Sequence, residues 1–96
     1  MLRSAARLPT AHGSKYLQQL CKHFAHKIEV EFTETEGRCA LPTGPARLKA
    51  DAEGLWVEVE APDAEGIERA QGIVDRHLAR FAFREEVTAM PWQAAI

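Results

Sequence analysis

The chain is short of cysteine, of long apolar runs and of any excess of one charge, and each shortage removes a class of function. None of its apolar runs approaches the roughly 20 residues a transmembrane helix needs, so no membrane role is expected. Two cysteines, Cys21 and Cys39, stand far apart in no paired spacing, which argues against a disulfide framework and against the paired-cysteine zinc patterns. Both fall on faces expected to be buried and are read as reduced core thiols, which suits a cytoplasmic protein. Twelve Lys and Arg against fourteen Asp and Glu give a formal net charge of -2. A nucleic-acid binder would show a basic excess or a basic face, so none is expected. The glycines stand singly, and no glycine-rich phosphate loop is present.

What is present is an ordinary globular composition, 46% hydrophobic and 27% charged over 96 residues, enough for one hydrophobic core and one domain. The basic, acid-free start from Met1 to Leu8 superficially resembles a transit peptide. Its alternation of Leu2, Ala6 and Leu8 with Arg3 and Arg7 reads equally as a first strand, and it is taken as structure. Pro9 breaks it, and Thr10 or Ser14 is available to cap a helix. From Ser14 to Lys27, Leu17, Leu20, Cys21 and Phe24 recur at helical spacing. The period then switches to two. Ile28, Val30 and Phe32 predict a strand over 27–33, Arg38 to Leu41 a short one, Ala46 to Ala50 a third, and Leu55 to Ala61 the clearest. Turns are expected at 34–37, at Pro42 to Pro45 and at 51–54. Asp63 is a natural N-cap for a second helix carrying Ile67, Ala70, Val74, Leu78 and Phe81 on one stripe and ending near 83–86. Gly72 lies off that stripe without an evident reason. Residues 87–96, with Met90 and Trp92, are expected to pack as an irregular C-terminal arm with a frayed end.

The element order β-α-β-β-β-β-α predicts an α+β two-layer sandwich, an antiparallel sheet with both helices on one face. Its other face would carry Arg3, Arg7, Glu29, Glu31, Arg38, Arg47, Lys49, Trp56, Glu58 and Glu60, mixed charges suited to cross-strand pairing.

Chemistry is densest at Cys21-Lys-His-Phe-Ala-His26. His23 and His26, three apart on a helix, are placed to share a metal ion. His77 is the natural third ligand, because it flanks the second apolar stripe as His23 flanks the first. Glu85 or Glu86 would complete the set if the chain folds back. The competing reading is that each ring packs and bonds a carbonyl or carboxylate. Cys21 and His23, two apart, face different directions, so a Cys–His nucleophile is not expected. Glu29 with Glu31 and Glu58 with Glu60 face the wet side among arginines and read as ion-pair partners rather than as acid–base pairs.

Tyr16-Leu-Gln-Gln-Leu-Cys-Lys-His-Phe-Ala-His-Lys27, with Ile28-Glu-Val-Glu-Phe32 after it, closely resembles the bacterial family catalogued as domain of unknown function 2218. Glu60-Ala-Pro-Asp63 and His77-Leu-Ala-Arg-Phe-Ala-Phe-Arg-Glu-Glu86 match its second signature. The resemblance spans nearly the whole chain. It implies a fold like one half of the TATA-binding protein or the phosphohexomutase C-terminal domain. It also implies a place beside siderophore-interacting oxidoreductases, with His23, His26 and His77 among the signature residues and iron or zinc as the cofactor to look for.

Three functions follow in order. The first is a non-catalytic accessory domain that binds a ligand or metal through His23, His26 and His77. The second is an interaction module, dimerising or docking to an enzyme through its sheet face or arm, with structural histidines. The third is an enzyme using His23 or His77 as a general acid or base, ranked last because a base needs a pocket beside it.

Overall fold

The alternating segments become five strands because each has one apolar and one charged face, and burying the apolar faces together forces them into one sheet. In a computed structural model describing residues 1–96, these are β1 (Leu2–Pro9), β2 (Val30–Phe32), β3 (Glu36–Leu41), β4 (Gly44–Ala50) and β5 (Gly54–Ala61). They lie antiparallel in the order β1-β5-β4-β3-β2. The run β2 to β5 is the expected meander, and β1 closes against β5 with Leu2 opposite Ala61 and Leu8 opposite Leu55. Helix α2 (Ala64–Phe81) covers β1 and β5, while α1 (Gly13–Phe24) lies across the β2–β4 half and β5. The fully buried Leu17, Leu20, Leu55, Val57, Val59 and Leu78 form the middle of one core. This is the α+β two-layer arrangement read from the pattern.

Local signals are obeyed unevenly. Asp63 caps α2 as expected, its Oδ1 accepting from the Gly66 N–H at 2.7 Å. Neither Thr10 nor Ser14 caps α1. His12 holds that position without a side-chain bond, Thr10 Oγ1 accepts from the His12 N–H, and Ser14 Oγ donates to the Glu34 carbonyl. Helix α1 stops at Phe24, not Lys27. The N–H groups of His26 and Lys27 reach back only three residues, to the carbonyls of His23 and Phe24, the tighter winding usual at a helix end. β2 is correspondingly only three residues long.

The Pro42–Pro45 turn is a two-residue hairpin, since Leu41 already pairs with Gly44. Gly44 has φ +146°, and a Cβ there would lie 2.3 Å from the Glu60 carbonyl oxygen, so only glycine fits. Gly72 has no such reason. A Cβ there would meet only the mobile end of Arg76, at 3.2 Å. Gly72→Ala is therefore expected to stabilise the protein by about 0.5–1 kcal/mol through helix propensity and a stiffer unfolded chain, read as a raised urea midpoint with unchanged slope.

The arm is hydrogen-bonded to the rest of the fold as far as Ile96. After α2 a 3₁₀ turn (Phe83–Glu85) and Glu86 in the left-handed region (φ 59°) redirect the chain. Met90 is buried. Its N–H and the Trp92 indole N–H both donate to Asp75, at 2.9 and 3.0 Å. The tail then runs along the outer side of β1, with Gln93 N–H to Ala5 C=O and a reciprocal pair between Arg3 and Ile96. The arm's end finds these partners because β1 offers an otherwise unpaired edge that this backbone satisfies. No helix is long and apolar enough to cross a membrane.

Candidate functional site: a histidine pair between the helices

His23 sits in the last turn of α1, and His77 three turns into α2, each just off its helix's apolar stripe. Packing the stripes onto one sheet face brings these flanks together. The two imidazole centroids lie 4.7 Å apart with planes at 52°. Phe24 lies edge-on to His77 at 5.0 Å and Phe81 edge-on to His23 at 6.2 Å, so aromatic rings wall the pair. His77 Nδ1 is 2.6 Å from the Ile73 carbonyl. A carbonyl can only accept, so Nδ1 carries the proton, and in the neutral ring Nε2 keeps its lone pair free. That backbone bond is also what orients a metal-binding histidine from behind.

His26 is not part of this contact. It follows α1 in the turn, exposed, with its ring 6.5 Å from that of His23. No group of three or more His, Cys, Asp or Glu side chains stands ready to hold a metal ion. Glu85, expected as a completing ligand, is engaged elsewhere: its carboxylate accepts from Thr10 at 2.9 Å and from the Tyr16 hydroxyl.

Burial holds the His23 imidazole below its ordinary value of 6.5, and the neighbouring His77, Arg80, His26 and Lys27 push the same way. A lowered folded-state value favours the neutral ring in the folded protein. His23's contribution to stability is therefore complete above pH 6.5 and lost as pH falls through the folded value. At neutral pH this corner thus offers a neutral imidazole at His23 beside the His77 ring, under a rim of cations.

The cysteines behave as expected. Cys21 and Cys39 are free and fully buried, their sulfurs 4.0 Å apart. The bond to Cys39 and burial both push the Cys21 thiol up, which keeps it an unreactive core group. The Thr10–Tyr16–Glu85 cluster was not foreseen. Its members stand 75 and 69 residues apart, and no local pattern announces such a contact.

This fold occurs elsewhere. Residues 5–93 match the family model described as "Uncharacterized protein conserved in bacteria (DUF2218)". The chain belongs to this family. The match takes in both helices, all of β2 to β5 and both histidines of the pair. The DUF2218 domain is also similar to a solved structure, the NMR structure of PA4090 from Pseudomonas aeruginosa. The two are 31% identical with a TM-score of 0.79, over 97% of this chain and 96% of that one. No curated protein matches.

Proposed function

We propose that this DUF2218 domain is a non-catalytic accessory protein whose binding site is the histidine corner, and that it takes a metal ion, iron or zinc, carried as an anionic chelate. The observation that carries this reading is the 4.7 Å approach of His23 and His77, with His77 oriented from behind by Ile73. Imidazole suits zinc and iron alike. Two donors are half of a tetrahedral set, and the exposed His26 swings in as a third on binding. The cationic rim of Lys27 and Arg80 repels a bare cation but attracts a metal that arrives with its own carboxylate or phenolate ligands. A chelate of that kind is the cargo of iron uptake, and a siderophore-related oxidoreductase is the partner to expect.

Titration of the parent and of a His23→Ala/His77→Ala variant with zinc chloride and with ferric citrate tests this. The parent is expected to take close to one equivalent of chelated metal. The variant, still folded by its amide spectrum, is expected to bind at least roughly tenfold more weakly. A parent that takes up neither form sinks the reading and leaves the histidines as packing groups. The alternative, an interaction module with purely structural histidines, then stands in its place.

A further inference from the structure

The face of the sheet away from the helices is covered by no other element, and its charges do not pair as their alternation along the strands promises. The ion pairs here are Arg3 with Glu60 at 3.2 Å and Arg7 with Glu53 at 3.9 Å. Arg38 and Arg47 belong to neither. The two-residue hairpin sets the register so that these arginines stand directly opposite one another at the centre of the sheet. Glu31 lies outside Arg38, and Glu58 outside Arg47. Like charges opposed across an antiparallel pair are destabilising, so this arrangement calls for an anion between them.

The neighbouring row supplies the rest of a site. Lys49 lies two residues from Arg47 on the same face, opposite Glu36 on one side and Trp56 on the other. Its ammonium sits 5.6 Å from the Trp56 ring centroid. Between the two rows the surface sinks into a depression of about 310 Å³ lined by Arg38, Arg47 and Lys49, with Glu31 beside Arg38 and Glu36 beside Lys49. Trp56 lies just outside it, across Lys49. Charged residues surround the half-buried Trp56, so the face lacks the apolar patch by which a second copy would dock.

We propose that Arg38 and Arg47, seconded by Lys49, bind a small oxyanion, a phosphate or carboxylate group, with Trp56 seating the remainder of the ligand. Guanidinium forks match the oxygens of both groups and bond them bidentately. An oxygen bridging the two forks converts the like-charge contact into two charge-assisted hydrogen bonds. This site is separate from the histidine corner, which lies on the helical side of the sheet.

Amide chemical shifts of the full chain, followed during titration with pyrophosphate and separately with citrate at matched ionic strength, test it and tell the two oxyanions apart. Saturable shifts are expected at Arg38, Arg47 and Lys49 for at least one of them. Arg38→Gln and Arg47→Gln are each expected to weaken binding by roughly 10- to 100-fold, the value of a charge-assisted hydrogen bond. Arg3→Gln on the same face and the His23→Ala/His77→Ala variant are expected to bind as the parent does. Absence of saturation with both anions overturns the proposal. So do shifts centred on Lys22 to Lys27 and Arg80, or full affinity in the folded Arg→Gln variants.

Discussion

Removal of residues 90–96 is expected to destabilise the protein by roughly 3 kcal/mol or more, taking the truncation of one buried Met as the floor, and to lower Tm by about 12–24 °C for a domain of this size. Met90 is 4% exposed against the core. With it go both donors to Asp75 and the backbone pairing to Arg3 and Ala5. The buried Ser4 loses the Gln93 carbonyl to which it donates at 2.7 Å, keeping only the bond it accepts from Gln71. Urea denaturation followed by far-UV circular dichroism measures the change. A shift below about 1 kcal/mol would mean that the arm's ordering entropy cancels what it buries.

The same truncation is expected to make the protein self-associate, because the two edges of the sheet are guarded in different ways. β2 ends the sheet with three residues, Glu31 at their middle and Glu29 just before them, a short and charged edge that discourages pairing. β1 is eight residues long and is guarded by the arm alone. Light scattering on the truncated protein should show dimers or larger species whose share rises with concentration. Asp75→Ala separates the two effects, since it loosens Met90 and Trp92 while leaving the tail's backbone free to stay on the edge.

What could be read in the sequence follows from how far apart the interacting residues are. Val57 and Val59 are fully buried because alternation over eight residues leaves no other way to hide them, and Asp63 caps α2 through contacts within one turn. His23 and His77 were legible as a pair since each is fixed relative to its own stripe, and the stripes must share one sheet face. His26 stands apart from the pair, exposed in the turn after α1, because that helix ends at Phe24, at a boundary no residue type marks. The Arg38–Arg47 opposition hid in two residues of turn length. A turn drawn as Pro42 to Pro45 conceals the Leu41–Gly44 pairing that sets the register. The arm's course depended on an unpaired edge 90 residues away in the chain, and backbone hydrogen bonding leaves no mark in side-chain pattern.

The clasp between Tyr16 and Glu85 carries the second large effect, and its pH dependence distinguishes it from simple packing. Tyr16 is 3% exposed, and its hydroxyl and that of Thr10 both donate to the Glu85 carboxylate. Glu85→Ala leaves a buried phenol without its acceptor, a loss of roughly 1–3 kcal/mol. The bonds from Tyr16 and Thr10, with the nearby His12, hold the Glu85 carboxyl below its ordinary 4.5. A lowered folded-state value means the stabilisation is complete above pH 4.5 and lost as pH falls through the folded value. Burial first, then the bond to Glu85 and its charge, push Tyr16 up from 10.0 to about 12. A raised value means stabilisation complete below pH 10 and lost as pH climbs toward 12. The stability difference between parent and Glu85→Ala is therefore expected to be flat between about pH 5 and 10 and to shrink on the acid side. On the alkaline side it shrinks only by the share that Glu85 contributes to the Tyr16 shift, because burial of the phenol persists in the variant. A difference that stays constant down to pH 3 would show that Glu85 acts through contact alone and not as a charged acceptor. Tyr16→Phe supplies the complementary case. It removes the donor but keeps the buried ring, so it should cost less than Glu85→Ala at neutral pH and abolish the alkaline limb.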